Sequence, residues 1–367
     1  MKITMLGNKG AGKTTFMLAM YAIMSEGVNG FSLCTEDLDD DIDIIDEWEN
    51  LLHGEGEERW PKANNEADFI NHSFNFNYAV TNNLIKFDWV DYRGGALDEK
   101  EKESDSKDVA KIHQRLKESD CIFICVSGEY LKETSNKTKL ARESGARRIK
   151  KLISNAFQEK THIPIVIVVT KYDLCKKISQ QELVNLIKQN FNDFFIEEGQ
   201  WRIMICPVTL GQTLDKDVNC GAIEPINVHL PLIFPISYRY FESYEKVKEI
   251  KNKYLEQKKN LQNQLNQKQS NLKNVKKEIE KLNNRNPITK VWDSLRNIDP
   301  TTQQSGEYDD IDILTKQLEA EIEKISCYLK DIEKEDKNIL NKLNILRKQL
   351  VHNNVQIFDS GVEAEIK

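Results

Sequence analysis

The sequence contains few residues that could form covalent or metal cross-links. It has seven cysteines, at positions 34, 121, 125, 175, 206, 220 and 327, and they form no CxxC pair. No histidine-rich segment accompanies them. A disulfide framework and a structural zinc site are therefore not expected, and scattered free thiols are typical of a reducing compartment.

Long apolar runs are also missing. No run reaches the length of about 20 residues that a membrane-spanning helix needs. A strand-like segment begins at residue 2 and leaves no room for a signal peptide. We therefore expect a cytoplasmic protein without a membrane span.

The chain has no excess of positive charge. Its 52 Lys and Arg residues are outnumbered by 59 Asp and Glu residues, which gives a net charge of −7. This balance argues against a general nucleic-acid or anionic-membrane binder. A hydrophobic content of 39% over 367 residues is enough for one core but low for two, so part of the chain should be elongated and solvated.

Residues 1–240 alternate between short apolar runs and helix-like stretches. The helix-like stretches start near Lys13, Asp108, Lys137 and Gln180, and the apolar runs cover 2–6, 69–80, 84–90, 121–127, 164–170 and 202–208. This alternation predicts a mostly parallel sheet that is covered on both faces. Only three residues join runs 69–80 and 84–90, so these two are expected to form an antiparallel hairpin.

An insert at about 28–66 contains the acidic run 36–48, EDLDDDIDIIDEW. Ile42, Ile45 and Trp48 recur at helical spacing, which predicts an amphipathic helix with the acidic side chains in solvent. The run resembles the start of a calcium loop, but Ile44 stands where such a loop needs glycine. A calcium site is therefore not expected.

Residues 241–356 differ in composition and are rich in Lys, Glu, Asn, Gln and Leu. Two heptad patterns occur here, one ending near Leu282 and a stronger one from Leu318 to Leu350, with a turn-rich stretch at about 285–309 between them. They predict a long antiparallel coiled-coil arm, followed by a tail at 357–367. A parallel dimer formed through each helix separately is the alternative.

Two polar residues, Lys268 and Asp336, interrupt these apolar seams. They set a possible register in which they face each other, with Leu282 near Ile322 and Tyr254 near Leu350. Alternatively, each side chain reaches water alone. The first helix is net basic and the second net acidic, which fits helix-on-helix complementarity. A basic patch for RNA or lipid is the other reading, and the near absence of aromatic residues speaks against it.

The sequence GNKGAGKT, from Gly7 to Thr14, lies between the first strand and the first helix and matches the phosphate-loop pattern GxxxxGK[ST]. Backbone N–H groups of such a loop surround phosphate oxygens, and the helix N-terminus adds a favourable dipole. Lys13 would neutralise the β- and γ-phosphates, and the Thr14 hydroxyl would bind Mg²⁺. The candidate phosphate-binding residues are Gly7, Lys9, Gly10, Ala11, Gly12, Lys13, Thr14 and Thr15.

A second motif, DYRGG, follows the apolar run 84–90. Asp91 at the carboxyl end of a strand can hold Mg²⁺ through water, and the Gly94 N–H can meet a γ-phosphate.

A third motif, TKYD, closes the most apolar run of the chain. The Asp173 carboxylate can accept hydrogen bonds from the N1–H and the exocyclic amine of guanine, whereas adenine offers no such pair of donors. Lys171 would pack its stem along the base, and Thr170 completes the candidate base site.

These three motifs, in this order and on strand ends, resemble those of TRAFAC-class P-loop GTPases with a Ras-like domain, over about residues 1–240. The resemblance implies an α/β fold with a mostly parallel six-stranded sheet and one antiparallel strand, with Mg²⁺ as cofactor and GTP and GDP as ligands. Residues 206–211 stand where the family's guanine-contacting loop lies, so Val208, Thr209 and Leu210 are candidates. DYRGG and WPKAN at 60–64 resemble segments of bacterial GTPases from conflict or defence gene sets.

The sequence departs from this family at two catalytic positions. Gly95 follows DxxG where efficient members often carry Gln, and glycine has no side chain to orient a water. Lys9 could partly compensate as a charge near the γ-phosphate, or it could simply face solvent. The switch threonine that binds Mg²⁺ is not evident, because Thr35 comes early, Thr81 lies in the hairpin turn and Asn64 occupies the expected place.

The sequence thus predicts a Mg²⁺-dependent GTPase with a low intrinsic rate. Its nucleotide state would act through segments 60–66 and 94–107 on the arm, which would bind a protein partner or a second copy of the chain. The alternatives are a coiled-coil scaffold with weak hydrolysis and a GTPase activated by self-association. Nucleic acid is not an expected partner.

Overall fold

The computed structural model describes residues 1–54, 56–61, 70–79, 82–91, 103–131, 137–157, 163–197, 201–211, 223–285, 300–351 and 355–364. Its strands are β1 (Lys2–Leu6), β2 (Phe31–Thr35), β3 (Ile70–Tyr78), β4 (Asn82–Asp91), β5 (Cys121–Ser127), β6 (Pro164–Thr170), β7 (Arg202–Pro207), β8 (Gln356–Asp359) and β9 (Val362–Glu363). Its α-helices are α1 (Lys13–Glu26), α2 (Leu38–His53), α3 (Glu103–Glu118), α4 (Lys137–Glu143), α5 (Ala146–Ala156), α6 (Gln180–Asn190), α7 (Leu230–Asn283) and α8 (Pro300–Val351). None of the helices in the described residues combines the length and apolar character that a membrane crossing requires.

The described strands form one mixed sheet in the order β2-β3-β4-β1-β5-β6-β7-β8-β9. Strands β4, β1, β5, β6 and β7 run parallel to one another in its centre, and the outer strands are antiparallel to their neighbours. The expected antiparallel hairpin is confirmed as β3 and β4.

The expectation of a six-stranded sheet is wrong, because the described residues alone contribute nine strands to it. Strand β2 comes from the insert and pairs with β3. Strands β8 and β9 come from the C-terminal segment, which the sequence assigned to a tail from residue 357. Short strands at a sheet edge carry little of the apolar periodicity on which the prediction relied.

The core lies on both faces of the central strands. Every residue of β5 and β6 is buried, as their continuous apolar sequence predicts. Helices α3, α5 and α6 pack their apolar sides on one face, with Ile112, Ile149 and Ile187 buried there. On the other face Phe16 of α1 packs against Trp89 and Phe123. This double cover fixes the strand ends that carry the three motifs.

Helix α2 confirms the amphipathic helix expected in the insert, with a different inner face. Asp37 caps it by accepting a hydrogen bond from the Asp39 N–H. Ile44, Trp48 and Leu51 are buried, whereas Ile42, expected inside, is 50% exposed. The spacing i, i+4, i+7 of the buried residues is as helical as the expected one, so the pattern alone could not choose between the two faces.

The chain divides into two compact units. Residues 1–239 and 344–367 form the first, here called the sheet unit, and residues 240–343 form the second, the helical unit. The sequence placed the corresponding boundaries at 240 and 356.

The helical unit pairs residues of α7 with residues of α8 in antiparallel order. The Tyr254 and Tyr328 rings lie 6.0 Å apart, and Gln269 Nε2 lies 3.3 Å from Glu319 Oε1. The seam residues predicted from the heptads are shielded from solvent, with Leu265, Ile325 and Leu329 buried. The two heptad patterns therefore pair within one chain.

The expected register of the two helices is wrong. Asp336 Oδ2 lies 3.4 Å from Lys251 Nζ rather than facing Lys268, and Tyr254 meets Tyr328 rather than Leu350. Helix α8 begins at Pro300, inside the stretch 285–309 that was read as turn-rich. Proline is well tolerated at the first helical position, and the glycine at 306 costs only about 1 kcal/mol. Helix α8 therefore begins earlier in the chain than expected, and its residues pair with a different part of α7.

Candidate functional site

The three sequence motifs meet at one edge of the sheet. Strand β1 leads into the phosphate loop, β4 ends at Asp91 and β6 ends at Thr170. Because β4, β1, β5 and β6 are successive parallel strands, their carboxyl ends lie side by side. Ligands of open α/β sheets bind outside such ends.

The phosphate loop turns sharply between β1 and α1. The Ala11 N–H donates to the Asn8 carbonyl at 3.1 Å, and Gly12, with φ of 77°, caps α1 without a side-chain hydrogen bond. A Cβ at Gly7 would lie 2.9 Å from the Cys125 carbonyl oxygen, so β5 packs too closely for any other residue there. The N-terminus of α1 thus lacks a protein side-chain cap and suits an anion.

Lys13 is the buried cation of this loop, with 7% of its surface exposed. Its Nζ donates to the Gly7 carbonyl at 3.0 Å and to the Asn8 carbonyl at 3.4 Å. A buried ammonium needs oxygen acceptors, and a phosphate oxygen is a stronger one than a carbonyl. Lys9 and Gly10 are exposed on the loop, while Thr15 is partly buried in α1.

Thr14 and Asp91 lie together as the metal-site prediction requires. The Thr14 hydroxyl donates to Asp91 Oδ2 at 3.1 Å, and Asp91 is only 2% exposed. A hydroxyl and a carboxylate are the oxygen ligands that Mg²⁺ prefers, so these residues fit that ion.

The other residues predicted near the γ-phosphate and its Mg²⁺ are not among the described residues of this cluster. Gly94, Gly95, Asn64 and Thr81 lie outside the described residues. Thr35 ends β2, and its hydroxyl donates to the Asp37 carbonyl at 2.7 Å. That hydrogen bond belongs to the turn into α2.

Cys125 lies beneath the phosphate loop as a neutral thiol. Cys125 is buried next to Gly7, and burial raises the pKa of its thiol, so this group stays protonated at neutral pH. The thiol therefore adds no negative charge that would repel phosphate.

Thr170 supports the phosphate loop. Its hydroxyl donates to the Ala11 carbonyl at 2.7 Å and lies 3.4 Å from the Val126 carbonyl, and the residue is 3% exposed. The side chain thereby ties β6 to the loop and to β5. It can align the base site with the phosphate site without touching the base.

Asp173 is joined to the loop after β7. The Thr209 hydroxyl donates to Asp173 Oδ1 at 2.9 Å, and Thr209 is 7% exposed. The structure thus brings two of the predicted base-site residues together. Both backbone groups of Val208 are engaged within the protein, by Tyr172 and Val169, and the Leu210 carbonyl accepts from the Glu224 N–H.

Lys171 has a partner that the sequence analysis missed. Its Nζ lies 2.9 Å from Glu129 Oε2, in the turn that follows β5. Glu129 comes two residues after the end of β5, the strand that neighbours β6, and this position is the available signal in the sequence. The ion pair is partly exposed and holds the lysine stem near the base site.

A second missed residue is Asn8, whose side chain fixes the phosphate loop from outside. Its Nδ2 donates to the Glu143 carbonyl at 2.6 Å, at the end of α4. A Cβ at Gly145 would lie 2.2 Å from Asn8 Oδ1, so α4 and α5 join directly against the loop. No local pattern indicates a contact between residues 135 positions apart.

The model of one protein family, described as Double-GTPase 2, matches residues 2–206, more than half of the chain. The chain belongs to the Double-GTPase 2 family. This membership supports a GTPase domain that includes the phosphate loop, Asp91 and Asp173. The match ends before Val208, Thr209 and Leu210. No curated protein matches the chain.

Proposed function

We propose that the protein binds GTP with Mg²⁺ and hydrolyses it to GDP and phosphate. The observation that carries this proposal is the arrangement of Lys13, the Thr14–Asp91 pair and Asp173 along adjoining strand ends. In this proposal Lys13 meets the β- and γ-phosphates, the Thr14–Asp91 pair meets their Mg²⁺, and Asp173 meets the base.

The residues of this site have two roles: they bind the nucleotide and they neutralise its negative charge. Lys13 would exchange its carbonyl partners for phosphate oxygens. Thr14 and Asp91 would hold Mg²⁺, which would neutralise charge that develops on the phosphates. The Asp173 carboxylate accepts hydrogen bonds from guanine, and Thr209 keeps that carboxylate in place. Water attacks the γ-phosphorus, and the bond to the β,γ-bridging oxygen breaks.

Hydrolysis by the isolated chain is expected to be slow. Gly95 offers no side chain to orient the attacking water. In the leading proposal, segments 60–66 and 94–107 respond to the nucleotide and the helical unit presents a surface to a protein partner in the cytoplasm. A scaffold with negligible turnover and a GTPase completed by self-association are the second candidates, and Gly95 is the feature that favours both.

The experiment measures GTP turnover per molecule over a wide range of protein concentration, with ATP in place of GTP and with Mg²⁺ omitted in parallel. A low Mg²⁺-dependent rate that does not vary with concentration is expected for a switch. A rate that rises with concentration indicates protomers that complete each other's sites. Tight binding with no measurable turnover indicates the scaffold, and a preference for ATP contradicts the proposed function.

A further inference from the structure

The segment that leads into α7 forms hydrogen bonds with the candidate base loop. We call residues 223–229 the root segment and residues 208–211 the base loop. The Ile226 N–H donates to the Thr209 carbonyl at 2.8 Å, and the Thr209 N–H points back to the Ile226 carbonyl at 3.4 Å. The Glu224 N–H donates to the Leu210 carbonyl. The root segment therefore lines the base loop like an additional short strand.

Asn227 fixes the root segment in this position. It adopts a left-handed backbone conformation with φ of 63°, which asparagine tolerates better than most residues. Its Nδ2 donates to the Pro207 carbonyl at 3.3 Å, at the end of β7. Its own carbonyl accepts from the Leu230 N–H at 3.1 Å, where α7 begins. One residue thus connects β7, the root segment and the first turn of α7.

The burial of neighbouring side chains shows what anchors this connection. Val228 and Leu230 are 1% and 0% exposed, so the residues that follow Asn227 are fixed in the core. Ile226 is 43% exposed. The bridge to Thr209 therefore depends on backbone geometry, which Asn227 determines, and not on packing of the Ile226 side chain.

The chain of hydrogen bonds that starts at Asn227 ends at Asp173, the residue that would recognise the base. The Thr209 backbone is held by the root segment, and the Thr209 hydroxyl donates to Asp173 Oδ1. A shift of the root segment would move this hydroxyl and leave the Asp173 carboxylate less well oriented. A loss of orientation of this kind weakens binding even when every contacting group is present.

We propose that Asn227 is a positioning residue for guanine recognition, acting through Pro207 and Thr209 on Asp173. This inference rests on the proposed function. By thermodynamic linkage, base binding must in turn stabilise the root segment and the first turn of α7. The start of α7 then responds to occupancy of the base site, independently of the γ-phosphate.

The test compares Asn227→Asp and Asn227→Gly with matched variants of Asn29. Asp removes the amide donor at nearly constant shape, whereas Gly removes it and still allows positive φ. Asn29 is a suitable control because it also has positive φ, at 52°, and also donates from Nδ2, to Gln349. It lies beside β2, at the opposite edge of the sheet from β7.

We expect both Asn227 variants to raise the dissociation constants of GDP and GTP by the same factor, about tenfold or about 1.4 kcal/mol. The rate of hydrolysis per bound GTP should not change, and the Asn29 variants should bind as the wild type does. Asn227 variants that bind GDP as tightly as the Asn29 variants overturn the inference. A weakening confined to GTP also overturns it, because the effect then lies at the phosphate end.

Hydrogen exchange of the wild type provides a measurement that does not depend on how a variant folds. GDP should slow exchange of the Glu224 and Ile226 amides, and unchanged exchange at saturating GDP overturns the inference. Failure of the wild type to bind any guanine nucleotide is distinguishable, because it overturns the proposed function and the inference together.

Discussion

Lys13 is the residue on which phosphate binding depends most. It is buried, and in this structure its ammonium donates to two carbonyls of its own loop. A buried ammonium is costly without strong hydrogen-bond acceptors. A contact between Lys13 and a phosphate oxygen therefore stabilises the complex more than the same contact from an exposed lysine would.

Lys13→Ala should raise the dissociation constant for GDP at least about 100-fold, since a buried charge-assisted contact with phosphate is lost. Fluorescence titration with a labelled GDP measures this change. Lys176→Ala is the control, because Lys176 is exposed in the turn after TKYD and should bind GDP normally. Tight GDP binding by Lys13→Ala would show that the phosphate site is assigned to the wrong residues.

The sequence predicts the site residues that belong to motifs, but not the residues outside the motifs that position them. The motifs predict that Thr14 and Asp91 share a metal ion, since Thr14 lies at the start of α1 and Asp91 at the end of β4, and their side-chain oxygens lie 3.1 Å apart. Asn8 and Glu129 act on partners that are distant in the chain. Such contacts arise from tertiary packing, and one sequence has no periodicity that reveals them.

At the scale of elements, strand β8 extends the sheet beyond β7 and lies between β7 and β9. It pairs antiparallel with β7, and its Phe358 is 1% exposed. The Phe358 ring packs edge-on against Phe195 at 5.4 Å, and Lys188 Nζ lies 4.1 Å from the ring centre. A C-terminal segment of ten described residues therefore belongs to the core of the sheet unit.

Phe358→Ala should lower the free energy of unfolding by about 3–5 kcal/mol, because it leaves a cavity against α6 and β7. Urea denaturation followed by circular dichroism measures the loss. Val362→Ala in β9 is the matched control, since Val362 is 58% exposed and the change should cost less than about 0.5 kcal/mol. Equal stability of the two variants would mean that β8 does not pack as described.

For the two long helices, the heptad pattern predicts which residues are shielded but not how the helices are aligned. Heptad spacing correctly identified the shielded positions, because period alone determines which side of a helix is apolar. It did not determine the register, which depends on where the connection turns. Pro300 and Gly306 suggested a longer connection, yet both lie within α8.

Cysteine cross-linking tests the observed register. With the exposed Cys34 and Cys327, and Cys220 outside the described residues, changed to Ser, Tyr254→Cys with Tyr328→Cys should link within one chain by a short bismaleimide. The pair Lys268→Cys with Asp336→Cys should not link, because Asp336 faces Lys251 and the two sites are about 25 Å apart along the helices. Linkage of only the second pair would contradict the observed register, and links only between chains would contradict pairing of the two helices within one chain.

At the scale of the whole molecule, the family match covers part of one of the two compact units. The match at residues 2–206 lies wholly within the sheet unit, and the helical unit lies beyond it. The GTPase assignment therefore rests on the sheet unit, and whether the helical unit binds a partner or a second copy of the chain is a separate question. The concentration dependence of turnover addresses that second question.

The most direct test of guanine-nucleotide recognition is the nucleotide preference of the intact chain with and without Asp173→Asn. The wild type should bind GTP at least about 100-fold more tightly than ATP or xanthosine triphosphate, because only guanine offers both donors to the carboxylate. In Asp173→Asn the amide can donate to the 2-oxo group of xanthine, so the preference should move from GTP to xanthosine triphosphate. An unchanged preference for GTP in the variant, or no guanine preference in the wild type, would contradict the assignment of this site.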